Sequence, residues 1–291
     1  MRSLFATRRR RILARVALYG GAVCVGLPLA ASQVLVGTIR QPTHAPWPPW
    51  EETAVVSEGL RLRAWLARGD ETRTAAVLVH GLGDSLESQA DSGATLHRRG
   101  HTVLLLDLRA HGGSEGRTTT LGGREREDVR AALAVLRERG LGRRGFVLLG
   151  ASMGAVAVLR AAAEEPEVRA VVAEAPYDDY RSTMAHHARL YYGLPPWFPL
   201  IPAAIAVAEW RAGFDADDVS AVLAARRVRG ALLLIVDGDD PRMPEPVVRR
   251  VFDAHPGPKR LWTAPGAPHS GAANAPGYWD TVLGFLEANG L

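Results

Sequence analysis

The fold is decided by the stretch Phe146-Val147-Leu148-Leu149-Gly150-Ala151-Ser152-Met153-Gly154-Ala155-Val156. A short apolar run here ends in the pattern G-x-S-x-G, and an alanine-rich segment follows it. This order predicts a buried strand, a sharp turn and a helix, with Ser152 held in a strained conformation at the turn. Gly150 and Gly154 omit the Cβ atoms that would collide where the strand and the helix cross. Because the pentapeptide is common, the stretch alone is equally compatible with a simple tight turn.

The segments on both sides of this stretch alternate between apolar strands and amphipathic helices. Strands are predicted at residues 54–57, 60–67, 75–80, 102–107, 146–149, 168–173, 231–236 and 259–263, and helices at 87–99, 121–139, 153–164, 246–254 and 278–289. Such alternation is typical of an α/β protein whose mostly parallel central sheet is covered by helices on both faces. Ligands of such sheets bind at the carboxyl ends of the strands.

One region interrupts the alternation. About fifty residues, 177–228, separate two predicted strands, and they include the aromatic and proline-rich run 190–199. This is too long for an ordinary connection, so we predict a small helical cap over the strand ends. In this cap His186 and His187 form either part of a pocket or a solvated pair.

The charge of the chain is concentrated at its start. The formal net charge is +4, but six of the 35 basic residues lie within the first fifteen, which leaves 29 basic against 31 acidic residues. A basic surface for nucleic acid on the folded domain is therefore not expected. The one cysteine, Cys24, cannot form an intramolecular disulfide, and a cysteine-based zinc site is excluded.

The first fifty residues predict a membrane attachment. A basic head, residues 1–15, precedes residues 16–39, which carry no charge and are long enough to cross a bilayer as a helix. We predict a signal-anchor with the head in the cytoplasm and a catalytic domain, residues 51–291, outside it. A signal peptide that is cleaved, giving a secreted protein, is the alternative. Residues 40–50 hold four prolines and two tryptophans and predict a stiff linker, whose tryptophans contact either lipid or the domain.

Three further strand ends carry residues suited to acyl transfer. His80-Gly81-Leu82 follows the strand at 75–79, acidic residues at 237, 239 and 240 follow the strand at 231–236, and His269 lies in a loop after the last strand. A histidine can remove the proton of a serine hydroxyl, and a carboxylate can orient that histidine. The order along the chain is serine, acid, histidine.

With these motifs, together with Asp107-x-Arg109-x-His111-Gly112-x-Ser114, the chain from about residue 55 to residue 291 resembles the α/β-hydrolase fold superfamily, and in detail the lysophospholipase/serine-aminopeptidase-like branch of bacterial hydrolases. The resemblance implies a triad of Ser152, Asp240 and His269. It implies an oxyanion hole made by the backbone N–H groups of Leu82 and Met153. In the family that the chain resembles, the acid commonly lies four residues before a proline that closes the turn, and this selects Asp240 before Pro244. The spacing from the preceding glycine to this acid is one residue shorter than is usual in the family, so Asp239 and Asp237 remain alternatives.

These residues predict a membrane-anchored serine hydrolase that cleaves an ester, thioester or amide, most simply as a carboxylesterase or lipase-like enzyme. No cofactor and no metal are expected, since the prolines at 241 and 244 break the ligand spacing of a calcium loop. The expected partners are a small acyl substrate, lipid-like in view of the aromatic cap, and the membrane itself. An acyltransferase with the same triad, or a non-catalytic binding module with this fold, is the alternative.

Overall fold

The computed structural model describes residues 2–291, with side chains at Leu13, at Arg15 and from residue 20 onward. Met1 and the other side chains before residue 20 lie outside the described part. The predicted basic head, residues 1–15, therefore falls largely outside the described side chains.

Within residues 2–291, eight strands form one central sheet. They are β1 (Glu51–Ser57), β2 (Leu60–Ala67), β3 (Ala75–Val79), β4 (Thr102–Leu106), β5 (Phe146–Ala151), β6 (Val168–Glu174), β7 (Ala231–Asp237) and β8 (Lys259–Ala264). Their order across the sheet is β1-β2-β4-β3-β5-β6-β7-β8. The pairs β1–β2 and β2–β4 are antiparallel and all others are parallel. The mostly parallel sheet is confirmed, and the carboxyl ends of β3, β5, β6 and β7 meet at one edge.

Helices cover both faces of the sheet. They are α1 (Arg2–Val36), α2 (Ala90–Arg98), α3 (Glu125–Glu138), α4 (Met153–Ala162), α5 (Tyr180–Tyr192), α6 (Leu200–Ala212), α7 (Ala221–Ala225), α8 (Glu245–Ala254) and α9 (Tyr278–Ala288). Alternate residues of each strand enter opposite cores: Leu104 and Leu106 of β4 pack on one face, and Val103 and Leu105 pack on the other. This is the pattern of strands that are buried on both sides.

Helix α3 begins four residues later than the sequence predicts, and the cause is a buried carboxylate. Both oxygens of Glu125 accept hydrogen bonds from the preceding turn, from the hydroxyls and the backbone N–H groups at residues 119–122. Leu121 and Gly122 in this turn have positive φ angles, which a helix cannot accommodate. Apolar periodicity does not reveal such a turn, because Leu121 itself is buried.

The N-terminal helix α1 packs on the region predicted to be the cap, residues 177–228, which contains α5, α6 and α7. Val36 at its end is fully buried against Ala208 and Ala212 of α6. Across the part of the chain that the structure describes, no helix has both the length and the apolar character needed to cross a bilayer. The predicted transmembrane helix at residues 16–39 is therefore not supported.

Residues 37–50 follow the surface of the folded domain. Arg40 donates hydrogen bonds to the carbonyls of Gly112, Ser114 and Gly116 at 2.6–2.9 Å. Trp50 is buried in the core, and the ring of Trp47 meets that of Trp65 edge-on at 4.8 Å. The sequence allows these tryptophans to contact either lipid or the domain, and in the structure both contact the domain.

Candidate active site

Ser152 occupies the sharp turn between β5 and α4. Its φ of 53° and ψ of −116° place a non-glycine residue in a strained conformation, as the sequence predicts. The turn is tight because the chain crosses other backbone closely. A Cβ on Gly150 would lie 2.5 Å from the carbonyl of Gly154, and one on Gly154 would lie 2.5 Å from the carbonyl oxygen of His80. Glycine is thus required at both positions.

His269 joins Ser152 to Asp240. Its Nε2 lies 2.8 Å from Oγ of Ser152, and its Nδ1 lies 2.6 Å from Oδ2 of Asp240. The Asp240 side chain is buried. Burial raises the pKa of the Asp240 carboxyl, but the hydrogen bond and charge of His269 outweigh this effect and hold the pKa below its ordinary value. Asp239, one residue away, is exposed to solvent. Of the three candidate acids, the structure brings Asp240 to the imidazole.

Asp237 and Glu174 hold the loop that carries His269. Oδ2 of Asp237 accepts a hydrogen bond from the backbone N–H of Ser270 at 2.6 Å, and Oε1 of Glu174 accepts one from the N–H of Ala272 at 2.9 Å. Burial, followed by the neighbouring Glu174 carboxyl, raises the pKa of Asp237 to about 8. Burial also raises the pKa of Glu174. The two acids therefore anchor the residues that directly follow His269, and together they carry less than two full negative charges.

The turn after β3 lies over Ser152. A Cβ on Gly81 would stand 3.6 Å from the Cβ of Ser152. His80 fixes this turn, because its Nδ1 bonds the carbonyl of Gly81 at 2.7 Å and its Nε2 accepts from the N–H of Leu108 at 3.1 Å. Burial lowers the pKa of His80, so that it is neutral at pH 7. Met153 begins α4, and the first amides of a helix have no partner within the helix. Leu82 and Met153 line one cavity with Ser152.

The motif from Asp107 to Ser114 forms a rigid buried loop beside this turn. The Asp107 carboxylate accepts hydrogen bonds from the N–H groups of Leu86 at 2.6 Å and Gly113 at 2.9 Å. The guanidinium of Arg109 lies 2.6 Å from Asp128, and both side chains are almost fully buried. These contacts place the motif in the scaffold of the site rather than in its reacting centre.

Ser152 and His269 open into a cavity of about 1150 Å³ between the sheet edge and the helices α1, α2, α5 and α6. His187 of α5 also lines this cavity. Burial, and then the nearby His186 and His269, lower the pKa of His187 to about 4, so that this ring is neutral. His186 instead bonds the carbonyl of Pro241 at 2.9 Å. His187 therefore lines the cavity, whereas His186 contacts the loop that follows β7.

Among the side chains that the structure describes, one group has ligand atoms close enough to hold a metal ion. These atoms, on Asp237, Asp240 and His269, lie within 4.8 Å of one another. Both ring nitrogens of His269 already have hydrogen-bond partners, Asp240 and Ser152. The arrangement is that of a chain for proton transfer, and it does not present a free imidazole nitrogen for coordination.

Sequence reasoning missed two contributions to this site. Glu174 ends β6 at the same edge as Asp237 ends β7, and an acid at the carboxyl end of a buried strand is a signal that could have found it. The second contribution is from Ala31, Val34 and Leu35 of α1, which line the cavity. No local pattern indicates that contact, because it joins residues that are far apart in the chain.

Comparisons with known proteins agree with this architecture. The sequence model of the family described as "alpha/beta hydrolase fold" matches residues 75–214. The uncharacterized protein YqkD of Bacillus subtilis is 29% identical over 245 residues, which cover 81% of this chain and 80% of that protein. A polyketide transferase of Stachybotrys chlorohalonatus is 35% identical over 127 residues, 42% of this chain and 43% of that protein. An esterase of Pyrococcus furiosus has a TM-score of 0.67 at 22% identity, with 87% of this chain and 98% of the esterase covered.

Proposed function

We propose that this chain, which has the α/β-hydrolase fold, is a serine hydrolase that cleaves an ester, thioester or amide through an acyl-enzyme on Ser152. The observation that carries the proposal is the hydrogen-bonded chain of Ser152, His269 and Asp240, with distances of 2.8 and 2.6 Å. The placement of this chain in the lysophospholipase/serine-aminopeptidase-like branch stays a prediction from the sequence.

The reaction follows from the positions of these groups. His269 Nε2 takes the proton of Ser152 Oγ as this oxygen attacks the substrate carbonyl carbon. The carbonyl oxygen becomes negative and receives hydrogen bonds from the N–H groups of Leu82 and Met153. The carbon–leaving-group bond then breaks, and His269 gives its proton to the leaving group. Water repeats the sequence on the acyl-enzyme and releases a carboxylic acid and free Ser152.

Asp240 supports both steps without exchanging a proton. Its carboxylate fixes the His269 tautomer that leaves Nε2 free to act as a base, and it stabilises the imidazolium that forms. The lowered pKa of Asp240 keeps this carboxylate charged across the pH range in which His269 works as a base. The oxyanion roles of Leu82 and Met153 are part of the same proposal.

A second candidate is acyl transfer to an alcohol or amine. The specific observation in its favour is the similarity to the polyketide transferase, which covers 43% of that protein. The same triad would serve, and an acceptor other than water would take the acyl group from Ser152. Product analysis with and without added glycerol or amine acceptors separates the two reactions.

The test is the variant Ser152→Ala, assayed on p-nitrophenyl acetate and labelled with a fluorophosphonate probe. Loss of the nucleophile should lower turnover by about 10⁴-fold or more and abolish labelling. The matched control is Ser270→Ala, since Ser270 lies next to the histidine and uses its backbone N–H rather than its hydroxyl to bind Asp237. Undiminished turnover and labelling in Ser152→Ala would exclude Ser152 as the nucleophile, whereas absent turnover and labelling in the wild-type protein would favour the non-catalytic binding module.

The location of the enzyme at the cell membrane, outside the cytoplasm, stays a prediction of the first fifty residues. Fractionation of cells that express the full chain, followed by carbonate extraction of the membranes, tests it. Recovery in the soluble fraction would contradict it.

A further inference from the structure

We infer that the N-terminal helix α1 forms one wall of the acyl site, and that the substrate of Ser152 carries a long unbranched acyl chain that lies between α1 and α6. This inference rests on the proposed serine hydrolase activity. It adds the substrate class and a specificity-determining element from outside the hydrolase domain.

The two sides of the cavity differ in chemistry. Its apolar side includes a wall of aliphatic residues from α1 and α6, namely Ala31, Val34, Leu35, Leu200, Ile201 and Ala204. Met184, Tyr191 and Tyr192 of α5 extend the apolar lining. The longest polar stretch of the lining comes from the segment before and within α2, namely Asp84, Ser88, Gln89, Asp91, Ser92 and Thr95. An acyl chain gains free energy only on the apolar side, by about 0.8 kcal/mol per buried methylene. The leaving group therefore faces the polar side.

The size of the cavity also favours a large ligand. Its volume of about 1150 Å³ exceeds the range of roughly 300–1,000 Å³ that is usual for small-molecule pockets. An acetyl group would leave most of the aliphatic wall in contact with water. We expect an acyl chain of about ten carbons to cover more of that wall while the ester stays at Ser152, since each methylene that it buries gains about 0.8 kcal/mol.

Helix α1 is fixed in this position by polar contacts with the cap. Arg211 of α6 donates hydrogen bonds to Oγ of Ser32 at 2.8 Å and to Oε1 of Gln33 at 2.6 Å. The backbone carbonyl of Val36 accepts from the N–H of Thr119 at 3.0 Å. These bonds flank Val34 and Leu35 in the chain. They therefore hold the aliphatic residues of α1 against the rest of the folded protein.

The chain offers a matched pair of variants for the test. Val34 and Val25 lie on the same helix and are both 62% exposed, but only Val34 lines the cavity. Neither substitution removes a buried side chain, so Val34→Asp and Val25→Asp should both fold. Both are purified as the full chain and titrated with a fluorophosphonate, which counts active sites independently of chain length.

The measurement is kcat/KM on p-nitrophenyl esters from acetate to dodecanoate. The wild-type protein should prefer decanoate or dodecanoate to acetate. Val34→Asp should lower kcat/KM on decanoate by about tenfold or more, the equivalent of two lost methylene contacts, and leave acetate within about twofold. Val25→Asp should match the wild-type protein at every length. Ala31→Phe, which fills the cavity, should show the same selective loss, with the exposed neighbour Ala30→Phe as its control.

Three outcomes would overturn the inference. These are a wild-type preference for acetate, equal loss at all lengths in Val34→Asp, and identical profiles for Val34→Asp and Val25→Asp. Each still leaves labelled, active Ser152, so the proposed hydrolase would stand. Loss of the proposed function itself would instead appear as absent labelling in the wild-type protein.

Discussion

The carboxylate of Asp240 lies 2.6 Å from the imidazole of His269, while Asp239, its neighbour in the chain, points to solvent. The turn after β7 explains the difference. The N–H of Asp239 donates to the carbonyl of Ala267 at 2.9 Å, and the N–H of Asp240 donates to the carbonyl of Asp237. The turn therefore directs one acid inward and the other outward.

Asp240→Asn should lower kcat by about 10³–10⁴-fold, because the amide no longer fixes the reactive tautomer of His269. Asp239→Asn should stay within about twofold of the wild-type kcat. Steady-state kinetics on an activated ester, with active-site titration, measures both. A larger loss of kcat in Asp239→Asn than in Asp240→Asn would show that Asp239, and not Asp240, is the acid of the triad.

Gly154→Ala should damage both the fold and the site. Its Cβ would meet the carbonyl oxygens of His80 at 2.5 Å and Val79 at 2.7 Å, so that backbone must move. We expect the free energy of unfolding to fall by about 2 kcal/mol or more and labelling of Ser152 to be lost. Urea denaturation measures the first effect.

The control for this variant is Gly284→Ala in α9, where an added Cβ has nothing within 4 Å. Alanine in a helix interior is favoured over glycine by about 0.5–1 kcal/mol, so this variant should be slightly more stable. Equal destabilisation of both variants would contradict the close crossing at Gly154.

Arg109→Lys should destabilise the protein although it keeps the charge. Arg109 is 3% exposed and binds the fully buried Asp128 and also Glu58. A lysine cannot make both contacts, and we expect a loss of about 2–3 kcal/mol in the free energy of unfolding. Arg124→Lys is the control, since Arg124 binds the same Glu58 but is 40% exposed. Its effect should lie within about 0.5 kcal/mol.

Asp237 predicts a dependence of stability on pH. Its pKa is about 8 in the folded protein and about 3.9 in an unfolded chain. The folded state therefore binds the extra proton between about pH 4 and pH 8. The free energy of unfolding should fall as pH rises through this window, by on the order of 1 kcal/mol per pH unit.

Asp237→Asn should weaken this decline, because the group no longer titrates and its amide oxygen can still accept from Ser270. Urea denaturation at pH 5, 6, 7 and 8 measures the slope. The control is Asp239→Asn, because Asp239 is the exposed neighbour. This variant should keep the wild-type slope of the free energy of unfolding against pH. The prediction fails if both variants decline alike.

The sequence predicts the sheet well because strands that are buried on both faces are recognisable from their composition. Runs such as Ala231–Val236 are apolar at every position, which is typical of a short strand covered on both faces. The predicted elements also place Ser152, His269 and the acids at one edge, since parallel strands bring their carboxyl ends together. Asp240 could be chosen over Asp239 only provisionally, because a difference of one residue in a turn depends on hydrogen bonds with the distant Ala267.

The parts that sequence did not predict are contacts between distant segments. Residues 16–39 are apolar, but composition records a preference for burial and does not identify the partner. The structure places Val36 against α6 and Leu35 beside the cavity. The late start of α3 has the same origin, because the buried Glu125 is recognisable only from the groups around it.

The attachment of residues 32–40 has a consequence for the order in which the protein is assembled during synthesis. Chains are made from the N-terminus, so these residues leave the ribosome before any group that holds them. The carbonyl of Val36 gains its partner only when Thr119 has been made, and Ser32 and Gln33 gain theirs only with Arg211. Residues 32–36 therefore reach their final place only after α6 has been translated.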